Sequence, residues 1–290
     1  MNTTLIVFVV LYLLGTLGIG LWAGTRIKNT SDFAIAGRSL PLVMVVTTTF
    51  ATWFGAETVM GIPARFVQGG LGAVVEDPFG AGICLVLVGA FFATKLYRQN
   101  LLTIGDFYRE RYGKGVEIFC SAAIILSYLG WVAAQITALG LVFNVLSDGV
   151  VSMTGGMLIG AGVVLLYTLF GGMWSVAMTT FVQMIVIVLG LLYVTWLAGD
   201  MAGGFETVIA KAAAEGKLDF LPRLELMDMV AWIAAFATMA LGSIPQQDVF
   251  QRVNSSKNET VAVWGTTLGG ASYFLFAAVP LFLAYTANII

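Results

Sequence analysis

The chain alternates between long runs that carry no charge and short stretches where charges gather. The uncharged runs cover residues 1–25, 39–56, 78–94, 118–147, 149–199, 229–247 and 260–290. A membrane-crossing helix needs about 20 mainly apolar residues, so each run marks at least one span. Residues 149–199 would extend ~77 Å as a single helix at ~1.5 Å per residue. This run therefore predicts two spans, with Gly171-Gly172 as the turn between them. The pattern predicts spans at 4–24, 43–68, 76–98, 117–147, 154–171, 174–199, 228–250 and 263–288. In the longest connection, 200–227, the mixed-charge stretch "FETVIAKAAAEGKLDF" predicts a surface helix.

Composition agrees with a membrane protein. Apolar residues make up 59% of the chain and charged residues 10%, against about 25% charged in a soluble domain; mean hydropathy is +0.93. The first apolar run has no Lys or Arg before it, so it reads as an uncleaved span and not as a signal peptide. A net charge of −2 points to no nucleic-acid partner. The lipid bilayer is the expected surroundings. The chain stops in an apolar span without a polar tail, an ending that reads as a truncation.

The positive-inside rule sets an expected orientation. With the N-terminus outside, the inner loops hold Arg26, Lys28, Arg38, Lys95, Arg98, Arg109, Arg111, Lys114, Arg252 and Lys257. The outer side then holds Arg65, Lys211, Lys217 and Arg223. Ten against four favours an N-terminus outside a cytoplasmic membrane.

Candidate chemistry concentrates where spans are interrupted. "TTTFATWFGAE" and the following "TVMGIP" set hydroxyls, small residues, Gly55, Gly61 and Pro63 inside one span. Gly weakens a helix interior and Pro removes a backbone bond. Unwound backbone at membrane depth persists where it is buried in protein or lines a cavity. An unwound stretch near Phe54–Gly55 would offer carbonyls to a cation, as secondary transporters do. The competing reading gives these glycines to close helix packing. Glu57 at this depth costs on the order of 3 kcal/mol if unpaired. It is protonated, bonded to Gln135, facing a cationic substrate or ion, or solvated nearer the outer interface.

A second interrupted span lies at "ALGSIPQQDVFQR", where Gly242 and Pro245 precede Gln246, Gln247 and Asp248. Asp248 and Arg252 read as an ordinary helix end at a basic rim. Paired interrupted spans are the sequence pointer to a transporter site. Trp53 beside the first break is an expected cavity wall, suited to organic cations. Tyr128, Trp131 and Gln135 share one helical face by their i, i+3, i+7 spacing.

Several ordered motifs resemble the sodium:solute symporter family: "SDFAIAGRSL", "GIPARFVQGG", "TIGDFYRERYG", "YTLFGGMWSVAMTTFVQ" and "GSIPQQDVFQR". The resemblance implies an all-α, leucine-transporter-like core of two inverted five-helix repeats preceded by one extra helix. Residues 1–290 then form a single transporter domain. Residues 4–24 are the extra helix, 43–199 the first repeat, and 228–290 the start of an incomplete second repeat. It further implies a sodium ion on the backbone carbonyls of Ala51 and Phe54, with hydroxyl partners beyond Ile290. The candidate substrate residues are Trp53, Gly55, Glu57, Thr58, Tyr128, Trp131, Gln135, Gly242, Ser243 and Gln246.

Three positions depart from parts of the family. Trp53 stands where sugar and proline branches carry Asn or Asp, whereas choline-type members share "ATW". Thr179-Thr180 replaces a Thr-Asp tied to a further cation site, which puts a second coupling sodium in doubt. Ser243 stands where the proline branch has a substrate-covering Tyr. The expected function is sodium-coupled symport of a small organic solute by alternating access, leaning to the choline-like branch, with sodium as coupling ion and no other cofactor. The alternative is a transporter-like sensory domain of a signalling protein. Enzyme activity is not expected: the chain has no His, no metal cluster, no nucleophile elbow and no phosphate loop. No repeated filter segment suggests a channel.

Overall fold

The computed structural model describes residues 3–290. The apolar runs fold as helices. α1 (Thr3–Gly24) is followed by a short α2 (Thr30–Ile35), then α3 (Leu42–Trp53) and α4 (Glu57–Gly69). α5 (Leu71–Arg98), α6 (Ile104–Tyr112), α7 (Lys114–Leu146) and α8 (Met153–Met201) come next. α9 (Phe205–Ala214) lies in the long connection, before α10 (Leu226–Ala240), α11 (Gln247–Asn254), α12 (Glu259–Phe276) and α13 (Ala278–Ile289). Among the described residues β pairing is limited to one bridge between Leu40 and Ser256. α1, α5, α7, α8 and the α12–α13 pair are each long and apolar enough to cross a membrane, and α3 with α4 forms a bent sixth.

Outward-facing side chains are apolar and exposed, as at Leu158 and Leu126 (71% and 69% accessible). Such wide apolar surface is untenable in water, whereas lipid covers it at no cost.

α8 contains 49 residues, more than one crossing needs, and it breaks where the double glycine predicts. Gly172 has φ 45° and ψ −138°, a backbone conformation open to Gly and strained for other residues. A Cβ there would sit 2.4 Å from the Phe33 carbonyl oxygen. Beside it the Ser175 hydroxyl donates to the Gly20 carbonyl, so the turn is docked onto α1 and α2.

Residues of three quoted motifs tie helix ends together. Arg38 donates to the Tyr97 carbonyl at 2.7 Å and Asn100 Oδ1 at 2.9 Å, and its guanidinium stands 3.7 Å from the Tyr97 ring centroid. Thr103 and Asp106 form a capping box on α6. The Ile104 amide at the start of α6 donates to Gln247 Oε1 at 2.8 Å, and Gln251 donates to the Ala34 carbonyl. α11 is thereby fastened to α2 and α6.

Candidate functional site

The bend between α3 and α4 is 58°. Its origin is visible in the hydrogen bonds. Phe54 leaves the helix with ψ 83°. The Gly55 amide turns to the Trp53 carbonyl at 3.0 Å, not to the Ala51 carbonyl four residues back. The Ala56 amide goes to Gln135 Oε1 on α7, also at 3.0 Å, and so leaves the Thr52 carbonyl. Helical pairing resumes with Val59 on the Gly55 carbonyl at 3.2 Å, and Glu57–Gly61 forms a wide π-helical turn. The break thus withdraws the helical partners of Ala51 and Thr52.

Aromatic packing supports the break from below. Phe54 stacks on Phe50 with ring centroids 4.9 Å apart. Both meet Phe276 and Tyr273 of α12 in a buried cluster with Ala81 and Met184. Gly55 faces Gln135 so closely that a Cβ would lie 3.0 Å from Oε1. Small size there lets α7 reach the break.

The second interruption falls at residues 241–246, between α10 and α11. The amide of Asp248, in the first turn of α11, donates to the Tyr128 hydroxyl at 3.2 Å. Tyr128 and Gln135 lie two turns apart on one face of α7, so a single helix supplies a partner to each break.

The two interruptions face one cavity of about 630 Å³. Of the sequence-predicted residues, Trp53, Glu57, Tyr128, Trp131, Gly242 and Gln246 line it. Tyr128 and Trp131 meet edge to face, with centroids 6.5 Å apart and planes at 88°. Gly55 and Gln135 sit at the break instead. Ser243 is buried, and its hydroxyl accepts from Gln246 Nε2 at 3.3 Å. Thr58 is buried too: its hydroxyl donates to the Trp53 carbonyl at 2.7 Å and lies 3.2 Å from the Tyr273 hydroxyl. Of the alternatives for Glu57, the bond to Gln135 is not formed; Glu57 faces the cavity.

The cavity wall contains carboxylates beyond the expected substrate residues. Asp77, Glu76 and Asp248 join Glu57 there. Asp77 is only 8% accessible and accepts a hydrogen bond from Tyr273. Glu76 is paired with Arg65. Asp77 falls in the first turn of the span expected at 76–98, directly before the uncharged run at 78–94, and Asp248 reads as a helix end. The sequence signal for both is a carboxylate within three residues of a Pro, Pro78 for Asp77 and Pro245 for Asp248.

This helical chain superposes on a solved structure described as a substrate-bound, outward-open Na+-coupled sialic acid symporter. The TM-score is 0.81 at 18% identity, covering 96% of this chain and 60% of that one. The match and the two interrupted spans define an integral membrane protein of the leucine-transporter-like fold. The sodium:solute symporter family model matches residues 33–288, and the chain belongs to that family. It is 32% identical over 270 residues to the high affinity choline transporter 1 of Homo sapiens, covering 89% of this chain and 45% of that protein. It is 28% identical over 291 residues to the high-affinity choline transporter 1 of Drosophila melanogaster, covering 99% and 46% respectively. The chain spans about half the length of the curated relatives it matches.

Proposed function

We propose that the full-length protein carries a small organic cation across the cytoplasmic membrane in symport with sodium, by alternating access. The observation that carries this reading is the convergence of two interrupted spans on one cavity walled by aromatic rings and carboxylates. Trp53, Trp131 and Tyr128 offer ring faces, which attract organic ammonium groups. Glu57, Asp77 and Asp248 make the same wall acidic. Its volume falls in the range of small-molecule sites. The relatives named as choline transporters support a cationic solute, and their being carriers favours transport over sensing.

The sodium ion is assigned to the break in the first span. Carbonyl oxygens are hard donors suited to a hard cation. Ala51 has lost its helical partner, and Phe54 lies where the backbone leaves the helix. When bound, sodium supplies positive charge at the break. In this reading α1 is the extra helix, residues 43–199 the first repeat and 228–290 the start of the second. The N-terminus is placed outside on the ten-to-four charge count.

Uptake by full-length protein in proteoliposomes tests the proposal, using labelled choline, betaines, amino acids, monocarboxylates and sugars. Accumulation of a cationic solute driven by an inward sodium gradient is expected. Equal uptake with and without that gradient would remove sodium coupling, and uptake confined to neutral solutes would remove the cation assignment.

A further inference from the structure

The three side chains behind the break pose a problem of proton counting. The Tyr273 hydroxyl contacts Asp77 Oδ1 and, at 3.2 Å, the Thr58 hydroxyl; the Thr58 hydroxyl also contacts the Trp53 carbonyl at 2.7 Å. There are three contacts in series, but each hydroxyl has a single proton to donate. With Asp77 ionised, Tyr273 donates to Asp77, and Thr58 must choose between Tyr273 and the Trp53 carbonyl. With Asp77 protonated, every contact has a donor: Asp77 gives to Tyr273, Tyr273 to Thr58, and Thr58 to the Trp53 carbonyl. Tyr273 and Thr58 are 0% and 1% accessible, so bulk water is poorly placed to supply the missing proton.

We propose that Asp77 is a proton-exchange site linked through Tyr273 and Thr58 to the broken helix, so that a proton on Asp77 and a cation at the break oppose one another. A protonated Asp77 keeps the Thr58 hydroxyl on the Trp53 carbonyl. Loss of the proton turns Tyr273 toward the carboxylate and lets Thr58 turn toward Tyr273, which frees a lone pair on the Trp53 carbonyl. That carbonyl keeps the Gly55 amide at 3.0 Å, so releasing Thr58 leaves no orphaned acceptor. The freed oxygen lies between Ala51 and Phe54 in the chain. The proton has an exit, because Asp77 lines the cavity.

Other charges surround Asp77. Glu57 and Arg65 act on it from α4, Glu76 from its own helix, and the Tyr273 phenol from α12. α10 presents Phe236 and Met239 against the same turn, and Asp248 shares the cavity. Arg65 is engaged by Glu76.

The sodium half of this proposal rests on the assignment of sodium to the break. The test is equilibrium binding of sodium chloride to the purified full-length protein across about pH 5.5–8.5, with proton release followed in weak buffer. Sodium affinity is expected to fall as pH falls, by roughly tenfold per pH unit in the limit of one proton displaced per ion, and sodium addition should acidify the solution. Asp77→Asn should abolish both effects. Tyr273→Phe keeps the carboxylate and the ring but removes the relay, and it should also flatten the pH dependence. It serves as the second variant should Asp77→Asn fold poorly. A sodium-sensitive carboxylic acid band in difference infrared spectra, lost in Asp77→Asn, is the spectroscopic counterpart. No sodium binding at any pH would overturn the sodium assignment and this proposal with it. Binding that is independent of pH, or whose pH dependence survives in Asp77→Asn or Tyr273→Phe, would overturn the proposal alone.

Discussion

Replacing Gln135 by Leu removes one acceptor and leaves a side chain of similar bulk. The Ala56 amide, which leaves the helix ladder to reach Gln135 Oε1 at 3.0 Å, then has no side-chain partner. An orphaned buried amide costs about 1–3 kcal/mol. This site is part-buried, so about 1–2 kcal/mol is expected, a factor of roughly 5–30 in the ratio of bent to straight conformation. Because sodium is assigned to carbonyls freed only when the helix is bent, apparent sodium affinity should fall by up to that factor, the full factor applying where the straight form is the major one without sodium. The assay is equilibrium sodium binding to purified protein, with Gln135→Glu as the paired variant. Glu keeps an acceptor at the same reach and should recover most of the loss. An affinity for Gln135→Leu within about twofold of the parent would refute the reasoning. So would a Gln135→Glu variant as impaired as Leu, since then bulk or charge, not the hydrogen bond, would govern the break.

Three further outcomes follow from other parts of the structure. Gly172→Ala should cost about 3 kcal/mol or more, from a positive φ and a Cβ driven into the Phe33 carbonyl; it is read as loss of monodisperse protein and of its thermal transition. Gly162→Ala, where a Cβ meets nothing within 4 Å, should be silent in the same assays. Glu57→Gln should weaken binding of the organic cation by about 1 kcal/mol, roughly fivefold, and leave sodium affinity unchanged; equal loss of both would contradict a substrate-facing role.

Local features of the sequence mark the main turns of the fold. A charge-free run too long for one crossing, with a double glycine at its middle, locates the turn at Gly172. Thr-rich and Gly-rich composition before Pro63 locates the first break, and Gly242 with Pro245 the second. Helical spacing puts Tyr128 and Trp131 on one face, and they meet in the cavity wall. What escapes the sequence is pairing across distance. Gln135 is 79 residues from the amide it receives, and Tyr273 is 196 residues from Asp77. No periodicity encodes either pair. Asp77 is also disguised, because a carboxylate at the edge of an apolar run has the same pattern whether it faces water or is folded inward. The π-helical turn at Glu57–Gly61 has no composition signal, and it is this turn that directs Thr58 back onto the Trp53 carbonyl.

The single face of α7 that touches both breaks has a consequence for how such a chain can change over time. Substitution at Tyr128 or Gln135 alters one break and leaves the other alone. Losing or gaining one residue between them rotates one against the other by about 100° and uncouples at least one contact, whatever residues remain. The seven-residue interval is therefore a constraint of length, added to the need for a hydrogen-bond acceptor at each end. Descendants of this chain can exchange the residues between its two ends, but they tolerate no insertion or deletion there.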